Sequence, residues 1–173
     1  MEQNNGNGGK KYWFALYTKP RHEFKAEQQL KGCGIEYFLP TVTRLKQWSD
    51  RKKKVKEPLF KSYIFIHANE KERLTALEQY AIVRTIYFDG KPAVIPDWQI
   101  ENLKKMLEKN VEVFVKDALK VGTRVRIVSG PFKDIEGIVY KTTNQEQMLA
   151  VTIDLLRRSV VVQIPRDSLV EKV

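Results

Sequence analysis

The sequence predicts an α+β fold: an amino-terminal domain of antiparallel strands with flanking helices, followed by a small, highly curved β-barrel. Three observations point to it. Strand and helix periodicities alternate up to Leu107. Beyond Lys120 the helical period is lost and apolar residues alternate at strand spacing, as in Val125 and Ile127 and again in Ile138 and Tyr140. Between those two strands Gly130-Pro131 breaks the run, and Gly137 sits where a side chain would crowd a tight barrel bend.

The elements follow in order. Residues 1–10 are polar and rich in Gly and Asn and read as a disordered tail. Tyr12 to Thr18 is an aromatic strand ended by Pro20, and His22 to Lys31 reads as a helix with Phe24, Gln28 and Leu30 as a weak stripe and Gly32 as its stop. Glu36 to Val42 is a second strand, a basic stretch runs from Arg44 to Lys56, and Phe60 to His67 is a third strand. Asn69 with Glu72 forms a capping box ahead of a helix striped by Leu74, Leu77 and Ala81. Val83 to Tyr87 is a fourth strand, and Asp97 caps a third helix with Ile100, Leu103 and Leu107 on one face. The order β-α-β-β-α-β-α fills residues 11–109. Residues 110–117 read as a linker, in which Val111, Val113 and Val115 are also spaced for a short strand, and 118–173 as the barrel, with further strands at Leu149 to Ile153 and Val160 to Ile164.

Charge divides unevenly over these 173 residues. Residues 1–110 hold 21 Lys and Arg against 13 Asp and Glu, a net of +8, while residues 111–173 hold 10 against 8, a net of +2. The first part is therefore the polyanion-facing one, and the nearly neutral barrel is a poor charge-driven RNA binder. A single cysteine, Cys33, excludes an internal disulfide and a cysteine-rich metal site. His22 and His67 lack metal-ligand spacing, and there is no nucleophile motif or phosphate-cradling glycine loop, so neither catalysis nor a cofactor is expected. With no membrane-spanning run and no signal pattern, a soluble, cytoplasmic protein is the default, expected as a monomer away from membranes.

Several motifs stand in a telling order: Trp13 in the first strand, the basic hairpin, the run Glu57-Pro58-Leu59-Phe60-Lys61-Ser62-Tyr63-Ile64-Phe65-Ile66, Pro92 to Pro96, and the segment Val121 to Thr142. Together they resemble the NusG family, whose NGN domain precedes a KOW domain with an SH3-like barrel. That resemblance implies a transcription elongation and antitermination factor that binds RNA polymerase and suppresses pausing or termination. Housekeeping members carry Phe-Pro-Gly-Tyr where this chain has Phe60-Lys61-Ser62-Tyr63. That departure looks more like the specialised RfaH and UpxY paralogues, implying action on selected operons. A general factor coupling polymerase to Rho or the ribosome is the alternative within the family. A ribosome- or RNA-associated KOW protein is the alternative from another class.

Candidate site residues follow. Tyr63, Phe65 and His67 alternate onto one face of the third strand and Ile64 and Ile66 onto the other, so one apolar face is core and the other is either core or a partner site. The resemblance implies that Phe60, Tyr63 and Phe65 anchor the clamp helices of the polymerase largest subunit, with Ile100 and Leu103 at the rim. Arg51, Lys52, Lys53 and Lys54 in the basic hairpin are candidate phosphate contacts, and Trp48 either stacks on a base or pins the loop. Lys19 and Arg21 stand where the first strand meets the first helix, and RfaH-type factors read non-template DNA of the transcription bubble around a similar stretch. In the KOW domain, Phe132, Ile135, Leu155, Leu156 and Arg158 resemble partner-binding positions. There Leu155-Leu156-Arg157-Arg158 replaces Ile-Phe-Gly-Arg, which speaks against Rho more than against the ribosomal protein NusE.

Overall fold

The computed structural model describes residues 9–109, 111–117, 122–142 and 144–173. The expected tail lies outside them except for Gly9 and Lys10, as do Asn110 and the expected start of the barrel at residues 118–121. The chain opens with β1 (Tyr12–Thr18), α1 (Glu23–Gly32) and β2 (Glu36–Phe38). β3 (Thr41–Gln47), β4 (Lys52–Pro58), β5 (Tyr63–Ala68) and α2 (Glu70–Leu77) follow. Short strands β6 (Ile82–Thr85), β7 (Tyr87–Phe88), β8 (Lys91–Pro92) and β9 (Val94–Ile95) lead to α3 (Asp97–Leu107). The remainder is β10 (Phe114–Asp117), β11 (Thr123–Ile127), β12 (Glu136–Lys141), β13 (Gln147–Ile153), β14 (Arg158–Gln163) and β15 (Val170–Lys172), with a 3-10 turn at Asp154–Leu156. By packing, the chain divides into one unit of Met1–Leu39 and Phe60–Val94 and another of Pro40–Leu59 and Ile95–Val173.

In the first unit the antiparallel sheet runs β2-β5-β1-β6. Trp13, Phe14, Ala15 and Leu16 are all buried, so β1 is apolar on both faces and takes a central place. Its register sets Phe14 opposite Ile66 and Leu16 opposite Ile64. These four pack with Ala26 and Leu30 of α1 and Ala76 of α2 into the core of the unit. Burial of each large apolar side chain contributes about 1.5–3 kcal/mol.

Several element details differ from expectation. The second strand stops at Phe38 because Pro40 cannot donate to a ladder, and Thr41 starts a new pairing with Pro58. In α1 the buried positions are Glu23, Ala26 and Leu30, and Phe24 is exposed. The left-handed residue after that helix is Gly34, with φ 67°, rather than Gly32. The capping box at α2 is formed, with Glu72 N–H donating to Asn69 Oδ1 and Asn69 N–H to Glu72 Oε2, each at 2.9 Å. That helix buries Arg73 and Ala76 instead of Leu74, because the Arg73 guanidinium donates to Thr85 Oγ1 at 2.9 Å on β6. The fourth strand splits in two, and β7–β8 forms a hairpin turned at Asp89 and Gly90, with φ 48° and 72°.

The second unit holds the β3–β4 hairpin, α3 and a six-stranded antiparallel sheet in the order β10-β14-β13-β12-β11-β15. The strands lie where the KOW-like region was expected, and among the described residues β10 and β15 do not pair with each other, so no closed barrel is detected. Both end strands are short and largely exposed, leaving little ladder to close. The central strands β13 and β14 are nearly continuously buried. Gly137 is required by the close approach of β12 to β13, since a Cβ there would lie 2.4 Å from the Ala150 carbonyl oxygen. The segment read as a linker contributes β10, which pairs with β14 from Phe114 to Asp117. Asp97 is the first residue of α3 rather than its cap, which is Pro96.

α3 buries Ile100, Leu103 and Met106, and two polar residues besides, Gln99 and Asn102. Both amides are satisfied by the sheet. Gln99 Nε2 donates to Asp154 Oδ2 at 2.7 Å and its Oε1 accepts from Asp154 N–H at 3.2 Å. Asn102 Nδ2 donates to the Glu136 carbonyl and its Oδ1 accepts from Glu136 N–H, both at 3.3 Å. A buried amide left without partners would cost about 1–3 kcal/mol, so these bonds are what permit its burial.

Candidate functional site

Unneutralised charge meets an exposed aromatic where β1 hands over to α1. β1 ends at Thr18, and the chain turns through Pro20 and Arg21, which sits at φ 63°. Lys19 N–H donates to the Ala81 carbonyl at 2.9 Å, which draws this turn against the loop after α2. Tyr80, in that loop, is 59% exposed. Lys19 Nζ lies 3.3 Å from the centre of its ring, Lys25 Nζ 4.6 Å, and the His22 ring 6.0 Å. Beside it, Arg84 on β6 lies 5.7 Å from the Tyr17 ring, which packs edge-on against Tyr63 at 5.5 Å.

The carboxylate that could neutralise this cluster faces elsewhere. Glu23, in the first turn of α1, is buried and accepts the Ser62 N–H at 2.7 Å. Among the described residues Lys19, Arg21, Lys25 and Arg84 form no ion pair. An exposed ring amid free cations suits bases that stack and phosphates that pair with Lys or Arg. Sequence reasoning found Lys19 and Arg21 but missed Lys25, Tyr80 and Arg84. The only sequence signal was the clustering of basic and aromatic residues, dispersed over three elements.

The basic stretch is an exposed two-stranded hairpin. Its tip is closed by Trp48 N–H donating to the Arg51 carbonyl at 2.8 Å. Lys46 faces Lys53 and Leu45 faces Lys54 across the ladder, so both faces carry cations. Lys46 pairs with Glu57, Arg51 lies 3.8 Å from Asp50, and Lys53 Nζ lies 5.2 Å from the centre of the Trp48 ring. Lys52 and Lys54 form no ion pair among the described residues.

The expected polymerase anchors fall into two groups. Phe60, Phe65, Ile100 and Leu103 are buried, and Phe65 has no exposed surface at all. Phe65 stacks on Phe38 and meets Phe60 edge-on, both at 6.1 Å. Tyr63 is half-buried, so of these five residues it alone presents surface. In the six-stranded sheet Phe132 and Ile135 are buried, Leu155 and Leu156 are half-buried in the 3-10 turn, and Arg158 is exposed and paired with Asp117.

Both departures from the family pattern noted in the sequence fall on left-handed backbone. Ser62 stands at φ 64° and Arg157 at φ 49°, where the resemblance has glycine. The turn geometry is kept and a side chain is added, at a conformational cost of about 1–2 kcal/mol each. Among the described residues no group of His, Cys, Asp and Glu could hold a metal ion, and no helix is long and apolar enough to cross a membrane.

The family model described as "Transcription termination factor nusG" matches residues 11–104. The chain is similar to the transcription termination/antitermination protein NusG of Thermus thermophilus, 25% identical over 88% of this chain and 94% of that one. It is also similar to the protein of that name from Pseudomonas aeruginosa, 26% identical over 94% of this chain and 99% of that one. A solved structure titled "Domain interaction in Thermotoga maritima NusG" is similar with a TM-score of 0.49 and 24% identity, covering 95% of this chain and 98% of that one.

Proposed function

This chain belongs to the NusG family of transcription termination/antitermination factors, and from that premise we propose that it binds RNA polymerase during elongation and suppresses pausing or termination. The observation that carries the reading is the cluster of Lys19 and Lys25 around Tyr80 and of Arg84 beside Tyr17, with Arg21 in the adjoining turn, inside the residues that the family model matches. Its chemistry suits unpaired non-template DNA of the bubble, with Tyr80 for a base and the cations for phosphates. The hairpin residues Arg51 to Lys54 contact upstream duplex through phosphates. Tyr63 makes the direct contact with the polymerase clamp helices. Phe60 and Phe65 support it from within its own unit, and Ile100 and Leu103 hold α3 in place within theirs. No chemistry is required of the protein. Binding energy that favours a closed clamp shifts the polymerase population away from paused states.

Action on selected operons is supported by Lys61-Ser62 and by Leu155 to Arg158, which add side chains at otherwise glycine-bearing turns. In the six-stranded sheet the partner face is Leu155, Leu156 and Arg158, with Phe132 and Ile135 as its core, and it suits ribosomal protein NusE better than Rho. A general factor is the second reading, favoured by relatives that align over nearly their full length. Retention of core RNA polymerase by the immobilised full chain tests the first step. Genome-wide polymerase and factor occupancy then separates the two readings: enrichment on a few operons supports selectivity, and uniform occupancy the general factor.

A further inference from the structure

We propose that a cleft of about 690 Å³ in the second unit, between α3 and the six-stranded sheet, binds a nucleotide through its base and its phosphate. This site shares no residue with the cation cluster around Tyr80. Its volume falls within the range of ligand pockets, about 300–1,000 Å³. One wall is a flat cationic platform, because the Arg124 guanidinium lies 5.1 Å from the centre of the Trp98 ring, and Trp98 is 42% exposed. Indole and guanidinium planes are both surfaces on which bases stack. The small residues Gly137 and Ala150 line the cleft as well.

Charge then decides what the cleft accepts. Asp117 is paired with Arg158, and Glu136 with Arg126 and Arg124, so two of the carboxylates lining the cleft are neutralised. Arg157, which also lines it, forms no ion pair among the described residues. Its φ of 49° holds an arginine at a strained backbone position. Asp154, which lines the cleft, donates its N–H to Gln99 and accepts from it on Oδ2, which leaves Oδ1 free to accept. Platform, free cation and fixed acceptor match the base face, the phosphate and an amino-bearing base edge. Guanine N1–H and N2–H can donate to Oδ1 and to the remaining lone pair of Oδ2, whereas uracil offers a single donor flanked by two acceptors.

The test is equilibrium binding of GMP, UMP and a guanosine-containing RNA pentamer to the full chain, by calorimetry and tryptophan fluorescence. GMP should bind with quenching and outcompete UMP by about ten-fold, the worth of one hydrogen bond to a charged group. Arg157→Gly relaxes the turn, so it should keep the fold and lose about ten-fold or more in GMP affinity, and Trp98→Phe, which leaves a smaller ring to stack on, should bind GMP more weakly and lose the quench. A pentamer binding at least ten-fold tighter than GMP identifies the source as an RNA strand, and equal binding a free nucleotide. Undiminished GMP binding by Arg157→Gly, or no GMP binding by the wild-type chain, overturns the proposal. A glutamate-rich peptide that binds in GMP's place and loses affinity with Arg157→Gly overturns it in favour of an acidic peptide.

Discussion

The Ser62 backbone N–H donates to the buried Glu23 carboxylate at 2.7 Å, and Ser62 itself sits at φ 64°. One residue thus carries both conformational strain and the bond that holds the β5 turn against the start of α1. Ser62→Gly should relieve the strain, offset in part by the greater entropy of glycine when unfolded, and raise stability by about 0.5–1 kcal/mol. Glu23→Ala should lower it by about 1–3 kcal/mol by orphaning the N–H. Urea midpoints of the two variants check both signs.

The Arg73–Glu70 pair predicts an acid limb. Hydrogen bonds from Arg73 hold the Glu70 carboxyl below its usual value, so this contribution is fully present above the unfolded pKa of about 4.3. It is lost as pH falls through the lower folded value. Glu70→Gln should lower stability at neutral pH and flatten its pH dependence over that window. Arg73→Met removes the donor to the buried Thr85 hydroxyl and should cost about 1–3 kcal/mol at any pH, read from thermal unfolding.

Much of this fold was legible in sequence where one pattern dominated. β1 and β5 follow from dense aromatic and β-branched residues, and the start of α2 from Asn69 and Glu72, three apart. Legibility failed where tertiary contacts set the outcome. Nothing local announces that Gln99 and Asn102 are buried, because their acceptors and donors lie on Asp154 and Glu136. The burial of Arg73 in place of Leu74 has the same origin in Thr85. Of the site, the Lys19 turn was readable from its place before the first helix and from the resemblance, and the basic hairpin from composition. Tyr80 was not, since a single exposed ring in a loop has no periodicity.

Phe65 and Tyr63 are expected to behave differently although they lie two residues apart. Phe65→Ala empties a fully buried position and should cost about 3–5 kcal/mol in stability. Tyr63→Ala, half-buried and edge-on to Tyr17, should leave most of the stability and weaken retention of core polymerase. Unfolding curves paired with pull-down separate the two effects.

Neutralising Arg51, Lys52, Lys53 and Lys54 to Gln should reduce the dependence of duplex DNA affinity on salt. The slope of log K against log salt should become shallower by up to about 0.9 for each phosphate that the hairpin no longer neutralises. An unchanged slope means that the exposed hairpin touches no phosphate. Folding should be unaffected, since these side chains lie on the surface.

The central claim is that the Lys19, Lys25, Arg84 and Tyr80 cluster holds unpaired DNA in a transcribing complex. The direct measurement is the affinity of the full chain for reconstituted elongation complexes with a single-stranded non-template bubble, for wild type, Tyr80→Ala and the triple variant Lys19→Gln, Lys25→Gln, Arg84→Gln. Loss of one stacked base should cost Tyr80→Ala about 1–3 kcal/mol, and the triple variant should bind more weakly with a shallower salt slope. Equal affinity for all three proteins, or no binding of the wild type to elongation complexes, contradicts the account.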